Sequence, residues 1–109
     1  MYRQSAKGWE CMLLRQMKYF AAVVECRSFT EAAAQCYISQ SAISQQIQTL
    51  ERELGAELIH RENRRFTLTP IGEYFYARSK TILEQVDELV CETKRLAADS
   101  ELQLRIGYL

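Results

Sequence analysis

Residues 39–54 constrain the fold of this chain more than any other stretch. Ile43, Ile47, Leu50 and Leu54 recur at i, i+4, i+7 and i+11, a single helical stripe that has to be buried. Ser39 is a good N-cap, and Gly55 stands where a left-handed residue would close the helix. The opposite face carries Gln40, Ser41, Ser44, Gln45 and Gln48. No charged residue occurs from residue 32 to residue 50, in a chain that is 26% charged overall. Solvated helix faces are usually rich in Glu and Lys, so a face of amides and hydroxyls suits contact with a polar, anionic surface. Gln pairs with the N6/N7 edge of adenine, and Ser bonds to phosphates and to several base edges. A merely solvated polar face is the alternative.

Upstream, residues 1–11 show no periodicity. They read as a mobile arm, or as sequence preceding a true start at Met12. A first helix is expected over residues 13–26, burying Leu14, Met17, Phe20, Ala21 and Val24. Ser28-Phe-Thr-Glu31 has the form of a capping box, with Ser28 on the N3 amide and Glu31 reaching back. It opens a short helix to about residue 36, whose alanines allow close approach of a neighbour. Two helices joined through Tyr37 and Ile38 make a helix-turn-helix pattern, with the residue 39–54 helix second. In that pattern the second helix enters the major groove by its N-terminal residues.

Past Gly55 the period changes to alternation. Residues 58–61 and 65–68 read as a small hairpin, or wing, with Phe66 and Leu68 on one face and Arg65 and Thr67 on the other. Arg61, Arg64 and Arg65 against Glu62 give this short segment a positive charge, suited to phosphate or minor-groove contact. A solvated hairpin tip is the bland alternative.

Thr69 and Pro70 form an N-cap and N1 pair, and no helix breaker follows between residues 73 and 100. A helix of about 30 residues would be about 45 Å long. Phe75, Ile82, Leu89 and Leu96 fall at d of a heptad, with Ser79, Val86 and Thr93 at a. Such a stripe overhanging a small domain calls for a partner, and a second copy is the simplest. Ser79 and Thr93 predict an irregular antiparallel or crossing pair. Residues 102–109 alternate like a strand without partner strands. The chain is then a fragment, or this tail is disordered or pairs between copies.

The 109 residues suffice for about one small domain, and formal net charge is zero, so any nucleic-acid affinity has to be local. Cys11, Cys26, Cys36 and Cys91 form no C-x-x-C pair, and His60 alone cannot complete a zinc set. Reduced, structural thiols fit a cytoplasmic protein. No apolar run approaches the roughly 18 residues of a membrane span. An enzyme is not expected, because no catalytic constellation or phosphate-cradling glycine loop is present. A helical interaction module, with the heptad helix as its function and no specific DNA binding, is the competing reading.

Together the blocks Leu14-Arg-Gln-Met-Lys-Tyr-Phe, Ser28-Phe-Thr-Glu-Ala-Ala, Ser39-Gln-Ser-Ala-Ile-Ser, Leu50-Glu-Arg-Glu-Leu-Gly, Arg61, Leu68-Thr-Pro and Gly72 resemble the N-terminal domain of LysR-type transcriptional regulators. The resemblance covers residues 12–109. It implies a mainly α protein: a winged helix-turn-helix over 12–69 and a linker and dimerisation helix over 70–99, after an extension over 1–11. Leu104-Arg-Ile-Gly resembles the first strand of an effector-binding domain, so residues 100–109 would be the start of a domain that is itself absent, and a small-molecule effector would belong there, with no cofactor in this chain. The implied partner is double-stranded DNA bearing an imperfect inverted repeat, bound by a homodimer. Carried over, Gln40, Ser41, Ser44 and Gln45, with Gln48 on the same face, match base-reading positions. Ser28, Thr30 and Ser39 match phosphate-proximal helix starts, and Arg61 and Arg64 match wing positions, with Arg64 toward the minor groove and Arg65 beside them as a further DNA-contact candidate. Phe75, Ile82, Val86, Leu89 and Leu96 are the expected dimer contacts. Gln45 stands where many members carry Arg, which moves the expected preference from guanine toward adenine. Ser41 stands where Pro is common, a change the first turn tolerates.

Overall fold

A computed structural model describes the backbone of residues 9–62 and 65–105, and side chains from 13 to 100 apart from residues 63 and 64. The order is α1 (Trp9–Cys26), α2 (Phe29–Gln35), α3 (Gln40–Leu54), β1 (Ile59–Glu62), β2 (Arg65–Leu68) and α4 (Pro70–Arg105). α1, α2 and α3 pack around Phe20, Val23, Ala32, Ala33, Ile43, Ile47 and Leu50, and Leu58 and Ile59 close the core from below the hairpin. The stripe predicted on residues 43–54 is therefore buried, except at its last turn, where Leu54 is exposed.

The helix ends follow the sequence closely. Ser28 Oγ accepts from the Glu31 amide at 3.1 Å, and Ser39 Oγ from the Ala42 amide at 3.0 Å. The reciprocal half of the Ser28 capping box, from Glu31 back to the Ser28 amide, is not among the hydrogen bonds of the described residues. At the other end of α3, Gly55 takes φ of 71°. Its amide reaches Arg52 O while the Ala56 amide reaches Glu51 O, the paired bonds of a Schellman ending. Arg27 and Tyr37 hold the same left-handed backbone without being glycine, at φ of 56° and 61°. The Ile38 amide returns to Ala33 O at 3.0 Å, so Tyr37 occupies the turning position that sets α3 across α2.

The hairpin pairs Ile59 with Leu68, His60 with Thr67, Arg61 with Phe66 and Glu62 with Arg65. Its link, Asn63 and Arg64, lies outside the described residues. β1 is fastened to α3 by Glu51, whose Oε2 accepts the amides of Leu58 at 2.8 Å and Ile59 at 3.1 Å. β2 leads into α4 through Thr69. The Thr69 amide donates to Leu58 O at 3.0 Å, its hydroxyl donates to Glu57 O at 2.6 Å, and Oγ1 caps the Gly72 amide at 2.9 Å. Gly72 lies so close to Leu58, the residue before β1, that a Cβ there would sit 2.1 Å from Leu58 O.

α4 first crosses α1, then leaves the domain. Phe75 meets Phe20 edge to face, with centroids 5.6 Å apart, and the Tyr76 hydroxyl donates to Glu25 at 2.9 Å. Partial burial, then that bond to the Glu25 carboxylate, push the Tyr76 phenol above its usual range. Ser79 is buried, but every described side chain from residue 87 onward is exposed. The molecule is consequently elongated, 65 × 35 × 23 Å with a radius of gyration of 18.2 Å, against about 13 Å for a compact 100-residue domain.

Two boundaries differ from expectation. α1 begins at Trp9, so residues 9–11 of the expected arm are helical, and residues 1–8 lie outside the described ones. α4 continues to Arg105, so residues 102–105 are helical where alternation suggested a strand. A lone strand leaves its amides and carbonyls unpaired, whereas extending an existing helix adds about one hydrogen bond per residue. Residues 106–109 lie outside the described ones.

Two substitutions test these joints by urea unfolding. Gly72→Ala should lower stability by about 1–3 kcal/mol through the clash with Leu58, despite the roughly 1 kcal/mol helix-propensity advantage of Ala. An unchanged or raised midpoint would remove the close approach from the account. Glu51→Ala strands two part-buried amides and should cost about 1–3 kcal/mol, with Glu51→Gln retaining part of it.

Candidate nucleic-acid interface

From Gln40 to Gln48 the exposed side of α3 keeps the uncharged character read from the sequence, and its last turn exposes Arg52 and Glu53. Gln40, Ser41, Gln45 and Gln48 are exposed and Ser44 is half-buried at the foot of the hairpin. Among the described residues, Gln45 and Gln48 make no side-chain hydrogen bond, so their amides are free to pair outward. Gln40 is held instead: Thr30 Oγ1 donates to its Oε1 at 3.1 Å, joining the start of α2 to the start of α3. Ser39 Oγ lies 3.4 Å from Ser41 Oγ. Ser28, Thr30, Ser39, Gln40 and Ser41 thus gather where the two helices begin, and the helix dipoles favour an anion there.

The arginines divide. Arg65 is exposed on β2. Arg61 folds back toward the helices. Its guanidinium carbon lies 4.5 Å from the centre of the Phe29 ring, and its Nη1 donates to Ser44 Oγ at 3.3 Å. Phe29 in turn meets Phe66 edge to face at 5.5 Å, and Phe66 is the cross-strand partner of Arg61. A cation over an aromatic ring at an exposed site contributes about 0.5–1 kcal/mol. Arg61 is therefore a positive charge fixed beside α3 rather than a free arm. Arg64, expected at the wing tip, lies outside the described residues. His60 is a strand surface residue, 3.3 Å from Glu62 Oε2.

Along α4 the five expected contact positions separate. Phe75 packs on Phe20 within its own domain and Val86 is half-buried. Ile82, Leu89 and Leu96 are 38%, 65% and 53% exposed. Phe75 is thus a core residue of this chain, because the first turns of α4 lie against α1.

Sequence reading missed Phe29 as the support of Arg61, since the contact joins residues 32 positions apart across two elements. It also missed Glu51 as a brace. A hint was available there, because an acidic side chain in a helix's last turn opposes the dipole and needs another partner. No cluster of three metal-ligating side chains occurs among the described residues. No helix among them is long and apolar enough to cross a membrane.

A short helix pair, a capped helix with an uncharged outer face, a two-stranded wing and a trailing long helix define a winged helix-turn-helix regulatory domain. Residues 14–73 match the family described as "Bacterial regulatory helix-turn-helix protein, lysR family". The chain belongs to that family of LysR-type regulators. It is 46% identical over 98 residues to the HTH-type transcriptional regulator BenM of Acinetobacter baylyi, covering 90% of this chain and 32% of BenM. It is 40% identical over 98 residues to the nitrogen assimilation regulatory protein nac of Klebsiella aerogenes, covering 90% of this chain and 30% of that one. The chain thus spans about a third of the curated relatives it matches. Among solved structures, the BenM DNA-binding domain in complex with catB site 1 DNA superimposes with a TM-score of 0.75 at 48% identity, covering 77% of this chain and 93% of that one. The CbnR DNA-binding domain in its DNA complex gives 0.72 at 36% identity, covering 77% and 97%.

Burial, then the neighbouring Cys26, push the Cys36 thiol above its usual range, with Lys18 opposing. Cys91 is exposed on α4. Near pH 8 a thiol reagent should modify Cys91 well before Cys36, as resolved by peptide mapping. Equal rates would show that α1 and α2 open readily.

Proposed function

We propose that this chain is the DNA-reading and dimerising part of a transcription regulator, and that it binds an inverted-repeat promoter site as a homodimer. The observation that carries this reading is the exposed, uncharged face of α3 from Gln40 to Gln48 with the Arg61 charge fixed at its edge. In the major groove, Gln40, Ser41, Ser44, Gln45 and Gln48 present donors and acceptors to base edges, with no like-signed or repelling charge among them. Ser28, Thr30 and Ser39 lie at helix starts that suit phosphates, and Arg61, Arg64 and Arg65 supply the cationic flank toward the backbone and minor groove. The DNA complexes of BenM and CbnR domains with the same architecture support the reading.

Dimerisation falls to the outer part of α4. Ile82, Leu89 and Leu96 leave an apolar stripe in water, and a second copy of the helix is self-complementary to it. Phe75 and Val86 contribute mainly by seating α4 on its own domain. We assign any small-molecule effector to sequence outside these 109 residues, place the protein's action in the cytoplasm, and give the chain no catalytic role.

Selection of binding sites from a random duplex library at two salt concentrations tests the reading. The expected product is an inverted repeat with half-sites about one helical turn, or a multiple of it, apart. Binding should weaken steeply with salt in proportion to the phosphates neutralised. Gln45→Ala should lose about 1–3 kcal/mol of discrimination at one base pair per half-site and leave the other positions intact. A dimeric chain that enriches no sequence would favour the interaction-module reading, and unchanged preference in Gln45→Ala would displace α3 as the reading helix.

A further inference from the structure

A serine hydroxyl offers one hydrogen to donate and two lone pairs to accept. On an exposed helix face it rotates freely and so reads bases poorly, because it satisfies donors and acceptors alike. Ser44 is not in that position. Arg61 Nη1 donates into its oxygen at 3.3 Å, and a guanidinium has no lone pair with which to accept in return. The hydroxyl hydrogen must then point away from Arg61. The same guanidinium is held over the Phe29 ring at 4.5 Å, and that ring is braced edge-on by Phe66, the strand partner of Arg61. The Phe29 and Phe66 rings belong to the partly buried layer on the core.

We infer that Arg61, positioned by Phe29, turns Ser44 into an oriented hydrogen-bond donor, so that Ser44 selects for an acceptor on the DNA. Guanine O6 and N7, thymine O4 and adenine N7 are acceptors of that kind, whereas cytosine N4 and adenine N6 are donors and are discriminated against. The oxygen keeps a second lone pair, so the bias comes from the positive charge beside it, which polarises the hydroxyl toward donation and repels an incoming donor. Arg61 on this account sets base preference through Ser44 without touching a base, and Phe29 is a positioning residue one step further back. The inference rests on α3 being the reading helix.

The test is a site selection followed by measured affinities for single-base variants, run on the wild-type chain, Ser44→Ala, Arg61→Met and the double variant. Arg61 is exposed, so Arg61→Met is expected to fold, and a thermal unfolding trace checks it. Ser44→Ala identifies the base pair that Ser44 reads by the loss of preference there. Arg61→Met should relax preference at that same pair by roughly five- to tenfold, the scale of one hydrogen bond, and in the double variant it should add nothing further at that pair. Phe29→Leu should relax the same pair to a smaller extent. If Arg61→Met weakens every sequence alike and leaves that pair's preference intact, Arg61 is a phosphate contact only and the inference falls. If Ser44→Ala changes no pair, it falls as well. A wild-type chain that enriches no site would instead count against α3 as the reading helix, which separates the two failures.

Discussion

The two peptide groups around Leu58 join three elements at one point. Its amide is taken by the Glu51 carboxylate at the end of α3, and its carbonyl accepts the Thr69 amide that leads into α4. The same carbonyl sits where only a glycine at position 72 leaves room for the first turn of α4. Leu58 itself is fully buried against the core. The angle of the hairpin to α3 and the direction of α4 are thus set by one short, solvent-poor stretch of backbone. Directional hydrogen bonds fix it more tightly than apolar packing alone, since burial is indifferent to small rotations and a carboxylate bridging two amides is not.

That constraint matters because, in the proposed complex, reading and anchoring are divided between elements. The first turns of α3 offer neutral donors and acceptors, and Arg61 and Arg65 lie on the hairpin. With 14 basic and 14 acidic residues, the chain has no net field to hold it on DNA. A charge on β1 then helps only if the hairpin is held at a fixed offset from α3. Glu51 sets that offset from one side, and the Phe66, Phe29 and Arg61 stack sets it from the other. Thr30 and Gln40 perform the comparable task at the opposite end, tying the two helix starts together.

Features that depend on neighbours in sequence were legible before the fold was known. The Ser28 and Ser39 caps, the Gly55 ending, the Thr69–Pro70 start and the two-residue periodicity of the hairpin each involve residues within a turn of one another. The buried stripe of α3 and its uncharged face followed from the same local pattern. What was illegible depends on distance in sequence. Nothing near Phe29 signals that it will carry Arg61, and nothing near Gly72 signals that a carbonyl 14 residues earlier will press on it. Arg27 and Tyr37 broke the local rule outright. Both take a left-handed backbone that glycine would adopt at less cost, and Tyr37 is 93% exposed, so no burial of its ring compensates. The tail differs in part. Alternation is a strand signal only when a partner strand exists, and α4 propagates through residue 105, with residues 106–109 outside the described ones.

The heptad on α4 shows one pattern serving two surfaces. Phe75 and Ser79 lie on the inward face of the first turns, where Phe75 meets Phe20 and Ser79 is buried. A serine at that position looked like a flaw in a coiled-coil seam. Against its own domain it is a fit instead, since a small side chain lets α4 lie close to the body of the protein. Val86 marks the change, half-buried where the helix leaves the domain. Beyond it Leu89 and Leu96 carry the same repeat into water, exposed among the described residues. A helix whose inner half is fixed to a reading head and whose outer half carries the seam transmits geometry in a simple way. In the proposed dimer, the register chosen along Leu89 and Leu96 sets the separation of the two α3 helices. A shift of one heptad changes the separation of the two heads by about 10 Å along the axis, roughly the rise of three base pairs, so the seam would select half-site spacing.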